Sequence, residues 1–340
     1  MTTDACTLWA AMAAATEARP DAPAIDAPDG TFTYAAMMRA AGAAAAGLVA
    51  RGVGPGDRVA FLGLNGAAQI ALLLGCARIG AMLAPLNWRL AAEELRGILD
   101  DADPRLTIAD AVMADLARVS WDGPVISVEE ILTSGRDHEV PPDFATPAHP
   151  ALLCYTSGAS GRPKGALHSH RALLANAALA HDMHAMTADD HVLTALPLFH
   201  VGGLCIQTLP ALLIGARVTL MARFDPGLCL SLIASARPTL TVHATLSALM
   251  AHPGWAGADL GSLRAVATGS TDVPVAMIEA VQARGVPVIQ VWGATETGPM
   301  AIYQKTSEAF SHPGSIGRPG PGVRLRLTDE DGADVPPGAA

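Results

Sequence analysis

The stretch Tyr155-Thr-Ser-Gly-Ala-Ser-Gly-Arg-Pro-Lys-Gly-Ala166 combines three glycines, three serine or threonine hydroxyls and one lysine. It follows the apolar run 151–154, which predicts a buried strand, and it precedes an alanine- and leucine-rich segment that predicts a helix. Glycines let the backbone turn tightly and expose its N–H groups, and hydroxyls beside a fixed positive charge suit a polyphosphate. The sequence therefore predicts a phosphate-binding loop, whose binding residues are Thr156, Ser157, Gly158, Ser160, Gly161 and Lys164.

This loop differs from the Walker A loop of P-loop nucleotidases. The Walker pattern requires glycine directly before its lysine and serine or threonine directly after it, whereas Lys164 lies between Pro163 and Gly165. The alternative interpretation is a flexible surface connection rich in glycine and serine. A lysine at this place argues against that alternative, because Lys164 and Lys305 are the only lysines of an arginine-dominated chain.

The segment 155–165 resembles the phosphate-binding signature of the acyl-adenylate-forming superfamily, (Y/F)-T-S-G-T-T-G-x-P-K-G. This superfamily comprises acyl-CoA synthetases, adenylation domains and firefly luciferase. The chain departs from the signature at Ala159, where threonine is typical, and it has Ser160 in place of the second threonine. One hydroxyl is therefore lost and one is kept.

A second segment, Gln290-Val-Trp-Gly-Ala-Thr-Glu-Thr-Gly298, follows a predicted strand. An exposed aromatic ring offers a flat face for adenine, and a carboxylate is a ligand that Mg²⁺ accepts; ordinary helix capping by Thr295 is the alternative. The segment resembles the family motif (Y/W)-G-x-T-E, with Val291 where many members have glycine. The resemblance implies that Trp292 and Gly293 contact adenine, that Thr295 binds the α-phosphate and that Glu296 holds Mg²⁺.

Two further segments follow predicted strands. Ala195-Leu-Pro-Leu-Phe-His-Val-Gly-Gly203 resembles the family motif Pro-Leu-(Phe/Tyr)-His-x-x-G, which implies that His200 lines the acyl site beside the CoA tunnel. Taken alone, a single histidine at a strand end is more often part of the core. The family loop that borders adenine corresponds to Thr268-Gly-Ser-Thr-Asp272 in this chain. Residues 270–272 differ from the family pattern, so the resemblance assigns a place at the adenine site to Gly269 alone.

Composition excludes several classes of protein. The 340 residues are 51% hydrophobic and 16% charged, as in a globular protein, and the net charge of −10 without a basic tract argues against nucleic acid as a partner. No signal peptide is apparent, and the apolar segment 67–79 is too short to span a bilayer. The five cysteines are scattered without metal-ligand spacing, so we expect free thiols in a reducing cytoplasm.

Strands that alternate with helices predict a largely parallel sheet covered on both faces. The resemblance implies two stacked α/β units in αβαβα layers. We expect the first unit at 1–150, with a polar linker from 129, and the second at 151–299 with the phosphate loop. A small β-rich subdomain is expected to start at 300–340, with a strand at 323–328. The family's small C-terminal domain, which bears a catalytic lysine, is expected to be absent; whether the chain is a fragment or naturally short stays open.

The resemblance implies ATP-dependent activation of a carboxylic acid, with Mg²⁺, followed by transfer to CoA. Amino-acid adenylation domains usually carry Phe-Asp where this chain has Phe199-His200, so we expect a medium-chain or aromatic acid. The alternatives are an acyl- or aryl-AMP ligase that serves a carrier protein, and a nucleotide-binding remnant without catalysis. For residues 1–340 alone we expect weak nucleotide binding and impaired turnover, and an exposed sheet edge leaves a homodimer open.

Overall fold

Two β-sheets covered by helices form the frame of the protein. The computed structural model describes residues 6–156, 163–243, 246–269, 273–336 and 338. The first elements along the chain are α1 (Leu8–Ala18), β1 (Pro23–Ala27), β2 (Gly30–Thr33), α2 (Tyr34–Val49), β3 (Arg58–Leu62), α3 (Ala67–Arg78), β4 (Met82–Pro85), α4 (Ala92–Ala102), β5 (Leu106–Ala109), α5 (Ala114–Ser120), β6 (Val125–Ser127) and α6 (Val128–Ser134).

The later elements include the strands on which the site motifs lie. They are β7 (Pro150–Thr156), β8 (Lys164–Ser169), α7 (His170–His184), β9 (His191–Thr194), α8 (Val201–Gly203), a π-helical turn (Leu204–Thr208), α9 (Leu209–Ile214), β10 (Arg217–Leu220), α10 (Pro226–Ala236), β11 (Leu240–Val242), α11 (Leu246–Ala251), β12 (Ala265–Gly269), α12 (Val275–Gln282), β13 (Val288–Trp292), a 3₁₀ turn (Thr295–Thr297), β14 (Ile302–Tyr303), a second 3₁₀ turn (Thr306–Glu308) and β15 (Arg318–Pro319).

Both sheets are largely parallel, as the alternation predicted. The six-stranded sheet has the order β6-β5-β3-β4-β7-β8, and only β8 runs antiparallel to its neighbour. The nine-stranded sheet has the order β15-β14-β13-β12-β11-β9-β10-β1-β2, and its antiparallel pairs lie at its two ends. Parallel strands bring their carboxyl ends to one edge of a sheet, where α/β proteins bind ligands.

The division of the chain at residue 150 does not match the sheets. Strands β1 and β2 join the nine-stranded sheet, where Ile25 pairs with Val218, while β7 and β8 join the six-stranded sheet, where Leu152 pairs with Leu83. The phosphate loop therefore belongs to the sheet of the first unit and not to that of the second. Alternation along a sequence cannot show this, because it does not determine which strands become neighbours.

Helices occupy three layers around the two sheets, which confirms the αβαβα arrangement. The largest apolar cluster lies between the sheets and takes side chains from α1, α2, α3, α7 and α9. A second cluster lies under α10, α11 and α12, and a third lies under α4 and α5. Helices α2 and α3 approach closely at Gly75, where a Cβ atom would lie 2.9 Å from the Cβ of Ala44.

Three sequence-based expectations about local structure were wrong. The segment from 129 contains helix α6, capped by Ser127, whose Oγ accepts from the N–H of Glu130 at 3.0 Å. Residues 323–328 form no strand; within the described residues this exposed segment has only an isolated bridge between Thr328 and Asp334. Lys164, expected in the loop, begins strand β8 because it pairs with the end of β7. None of the helices in the described ranges combines the length and apolar character needed to cross a membrane.

Candidate active site

Strands β7 and β8 form a hairpin, and the predicted phosphate loop connects them. Thr156 and Lys164 lie opposite each other in its last pair, and the hydroxyl of Thr156 donates to the carbonyl of Lys164 at 3.5 Å. The side chain of Lys164 is exposed at the carboxyl end of β7. The other four loop residues, Ser157, Gly158, Ser160 and Gly161, lie outside the described residues. The hairpin thus fixes both ends of the loop.

The second motif lies at the carboxyl end of β13. Trp292, the last residue of this strand, is 53% exposed, which is unusual for so large an apolar side chain. The backbone of Pro299 passes so close to Gly293 that only glycine fits there, because a Cβ atom on residue 293 would lie 2.3 Å from the carbonyl oxygen of Pro299. Thr297, and not Thr295, caps the following turn, since its Oγ1 accepts from the N–H of Ala294 at 3.0 Å. Helix capping, the alternative role for Thr295, therefore does not explain why a threonine is present at position 295.

Strand β8 brings these two motifs together. Its Cα atoms come within 8 Å of those of the turn 295–297. His168 of β8 is 2% exposed, and its burial lowers its pKa, while the nearby carboxylate of Glu296 opposes that shift. Its Nε2 atom has no hydrogen-bond partner among the described residues. His168 was not among the predicted site residues, because only a prediction of strand β8 would have shown that it faces inward.

Gly269 and Trp292 lie on neighbouring strands. Gly269 ends β12 opposite Val291 of β13, and a Cβ atom on Gly269 would lie 2.3 Å from the carbonyl oxygen of Val291. Any larger residue would push β12 and β13 apart beside Trp292. The expectation that Gly269 borders the same site as Trp292 is consistent with this pairing, while residues 270–272 lie outside the described residues.

His200 lies beyond the carboxyl end of β9 and begins helix α8. Its Nδ1 accepts from the N–H of Gly202 at 3.0 Å, so the proton of a neutral ring is on Nε2. The preceding Phe199 contacts Trp88 edge to face, with ring centroids 6.5 Å apart. The guanidinium of Arg89 lies over both rings, at 4.9 Å from Trp88 and 5.6 Å from Phe199. Within the described ranges, no hydrogen bond joins His200 to Thr295 or Glu296.

Asn65 holds the chain that leads to His200. It follows β3 of the six-stranded sheet and is 5% exposed. Its amide nitrogen donates to the carbonyls of Leu196 at 2.9 Å and Met221 at 3.0 Å, and its amide oxygen accepts from the N–H of Leu198 at 2.8 Å. Asn65 therefore ties the carboxyl ends of the two sheets together. Its partners are more than a hundred residues away in sequence, so no local pattern identifies it.

Thr156, Gly269, Trp292 and His200 thus lie at or beyond the carboxyl ends of strands of an α/β protein. This arrangement defines a class of nucleotide-binding α/β domains. The chain belongs to the family described as AMP-binding enzyme, whose model matches residues 12–340. The family resemblance drawn from the motifs is confirmed.

Curated relatives are acid–thiol ligases. The chain is 44% identical over 337 residues to an indoleacetate–CoA ligase of Aromatoleum aromaticum, with 94% of this chain and 66% of the relative covered. It is 36% identical over 322 residues to a feruloyl-CoA synthase of an Amycolatopsis species, with 94% and 65% covered. A fatty acid–[acyl-carrier-protein] ligase, ScoC, of Streptomyces coeruleorubidus is 32% identical over 340 residues, with 94% and 65% covered. The chain spans slightly less than two thirds of the length of these relatives.

A solved structure has the same fold. The inhibitor-bound N-terminal domain of FACL13 from Mycobacterium tuberculosis superposes with a TM-score of 0.89 at 27% identity. The superposition covers 97% of this chain and 86% of that one. Because so much of both chains superposes, the order of strands and helices described above is that of an N-terminal domain in this family.

Proposed function

We propose that this protein takes part in the ATP-dependent activation of a carboxylic acid as acyl-AMP, followed by transfer of the acyl group to the thiol of CoA. The observation that carries the proposal is the contact between β8, the strand that Lys164 begins, and the turn 295–297, which contains Glu296. The names of the relatives support the same reaction class. The chain contributes positioning and charge, and forms no covalent bond to substrate.

In the first step an oxygen of the substrate carboxylate attacks the α-phosphorus of ATP. The bond from that phosphorus to the bridging oxygen breaks, and pyrophosphate leaves with the electron pair. The ammonium of Lys164 offsets phosphate charge, the hydroxyl of Thr295 donates to a phosphate oxygen, and the ring of Trp292 stacks on adenine. Fixed donors of this kind lower the barrier because the site is already organised around the developing charge.

The residues present fit a magnesium ion bound together with ATP. Mg²⁺ uses one or two carboxylates plus substrate phosphates and keeps several waters. Glu296 is exposed beside β8 and makes no ion pair with any described residue, so it can serve as that single carboxylate. Bound there, Mg²⁺ would neutralise part of the phosphate charge, and Glu296 would hold it at the turn.

We further propose an aromatic or medium-chain acid as the substrate. His200 stands where an aspartate would recognise an amino group, and the helix that begins beside it is lined by buried apolar residues. The relatives named for indoleacetate and ferulate favour the aromatic choice. An exchange assay in which an amino acid surpasses indole-3-acetate, benzoate and octanoate would contradict this assignment.

A carrier-protein thiol is the second candidate acceptor, and the similarity to ScoC is the observation that favours it. The two acceptors share the first step and differ in the second. Acyl transfer measured with CoA and with a phosphopantetheinylated carrier protein, at equal thiol concentration, distinguishes them. Preference for the carrier would replace CoA in the proposal and leave the adenylation step intact.

The first step is tested by acid-dependent exchange of labelled pyrophosphate into ATP. Lys164→Ala should lower the exchange rate by about 10-fold or more, because a charged contact to phosphate contributes roughly 1.5–3 kcal/mol. Lys305→Ala is the matched control, since Lys305 is the only other lysine and pairs with Asp182 at 2.9 Å. Exchange that is absent in the parent protein, or equal in the two variants, would contradict the proposal and favour a nucleotide-binding remnant.

A further inference from the structure

A buried glutamine side chain in the π-helical turn has one atom without a partner. Gln207 is 0% exposed. Its Nε2 contacts His184 Nε2 at 3.0 Å and the carbonyl oxygen of Thr241 at 3.2 Å. Its Oε1 is buried and has no hydrogen-bond partner in the described part of the chain. Such an atom is costly, because a buried acceptor that lost its water is left without compensation.

The surrounding hydrogen bonds determine which amide atom is the unpaired one. His184 Nδ1 lies 2.9 Å from the carbonyl oxygen of Ala180, so Nδ1 carries the proton. Burial lowers the pKa of His184 to about 4, and the neutral ring therefore presents Nε2 as an acceptor. The amide group of Gln207 faces two acceptors, this Nε2 and the carbonyl of Thr241. It must present its NH₂ group to both, which leaves Oε1 as a fixed, free acceptor.

The position of Gln207 connects it to the proposed acid site. It follows His200 by seven residues in one continuous helical segment, which places it roughly 10 Å further along that segment, on a helical rise of ~1.5 Å per residue. The segment packs on the nine-stranded sheet, and Gln207 reaches the backbone of β11 there. The π-helical turn 204–208 adds a residue to the helix, a feature that is frequent at functional sites. The hydroxyl of the neighbouring Thr208, unlike Gln207 Oε1, has hydrogen-bond partners. It contacts Thr194 Oγ1 and the carbonyl oxygen of Gly203, each at 2.6 Å.

We propose that Gln207 Oε1 is a specificity determinant at the inner end of the acid pocket. It accepts a hydrogen bond from a ring donor of an aromatic acid, either an indole N–H or a phenolic O–H. This inference rests on the proposed function, because it assigns the pocket beside His200 to the acid. Since Oε1 only accepts, acids whose rings lack a donor leave it unpaired and bind more weakly.

The test uses pairs of acids that match in shape and differ in the donor. The pairs are indole-3-acetate with 1-benzothiophene-3-acetate, and 3-(4-hydroxyphenyl)propanoate with 3-(4-fluorophenyl)propanoate. We expect the donor-bearing acid of at least one pair to have a kcat/KM for adenylate formation higher by on the order of 10- to 100-fold. The pair that shows the preference tells whether the donor is an indole or a phenol. Gln207→Met should reduce this ratio to about one, and Thr208→Val should keep it as a neighbouring buried control.

Calorimetric binding of the same acids separates failure of this inference from failure of the proposed function. A donor preference in binding that Gln207→Met removes supports the inference even where no adenylate forms, and that result would overturn only the proposed function. Equal affinity within both pairs, a preference that persists in Gln207→Met, or binding of none of the four acids would overturn the inference.

Discussion

At the scale of single residues, Trp292 takes little part in packing, and we propose that its ring contacts adenine. About half of its surface is exposed at the end of β13, so removing the ring should hardly change the stability of the fold. Stacking of a base on an aromatic side chain contributes about 1–3 kcal/mol. We expect Trp292→Ala to weaken ATP binding by roughly 10-fold, and Trp292→Phe to weaken it less. Calorimetric titration with ATP checks this, and unchanged affinity in Trp292→Ala would contradict the adenine role.

Glu296 gives a second prediction at this scale. If its carboxylate holds Mg²⁺, Glu296→Gln should raise the Mg²⁺ concentration needed for half-maximal pyrophosphate exchange, because an amide oxygen carries less charge. Glu308→Gln is the matched control, since Glu308 lies on the other 3₁₀ turn and pairs with Arg318 at 3.7 Å. A Mg²⁺ dependence that changes equally in both variants would remove Glu296 from the metal role.

At the scale of elements, the contact of Asn65 with the segment before His200 predicts a positioning effect. Asn65→Ala leaves the N–H of Leu198 and two carbonyls buried without partners, at a cost of about 1–3 kcal/mol for each unmade bond. We expect a lower melting temperature and a higher KM for the acid, with a smaller effect on the KM for ATP. Equal rises in both KM values would indicate general loosening of the fold instead.

Elements with strong local patterns were predictable, and those created by pairing were not. Helix α3 and strands β4, β5 and β6 have the bounds that their apolar runs indicated. Strand β8 was missed, because Lys164-Gly-Ala-Leu-His-Ser169 has a glycine and two polar ends, and becomes a strand only through its ladder with β7.

The residues of the candidate site likewise divide into those that the sequence predicted and those that it did not. The motif residues were found because their chemistry lies in short stretches, whereas Asn65, His168 and Gln207 owe their interest to burial and to partners far away in sequence. Such roles depend on tertiary contacts that a single sequence does not contain. The roles of the motif residues themselves stay predictions until the variants above are measured.

At the scale of the whole molecule, buried histidines make the fold sensitive to acid, and three of them have strongly lowered pKa values. Burial lowers the pKa values of His170, His184 and His243 to about 4. Between about pH 6.5 and pH 4 the unfolded chain binds protons that the native protein does not, so stability is present above pH 6.5 and is lost as the pH falls. Each group contributes a slope of up to about 1.4 kcal/mol per pH unit.

Urea unfolding at a series of pH values measures this dependence. We expect the free energy of unfolding to be level near pH 7 and to fall steeply below pH 6. His170→Gln should make the slope smaller, because one of the groups that cause it no longer titrates. A free energy that is constant from pH 7 to pH 5 would contradict the assignment of these rings as neutral and buried.

The exchange of strands between the two sheets also constrains the order in which the protein assembles. Ile25 in β1 pairs with Val218 in β10, nearly two hundred residues later in the chain. In the six-stranded sheet, β7 likewise pairs with β4 although a long stretch of chain separates the two strands. Contacts so distant in sequence slow folding, because a long loop must close before they contribute. During synthesis the hairpin 23–33 therefore leaves the ribosome long before its sheet exists, and its strand edge stays open until β10 has emerged. We therefore expect the rate of translation between these two segments to affect the yield of folded protein.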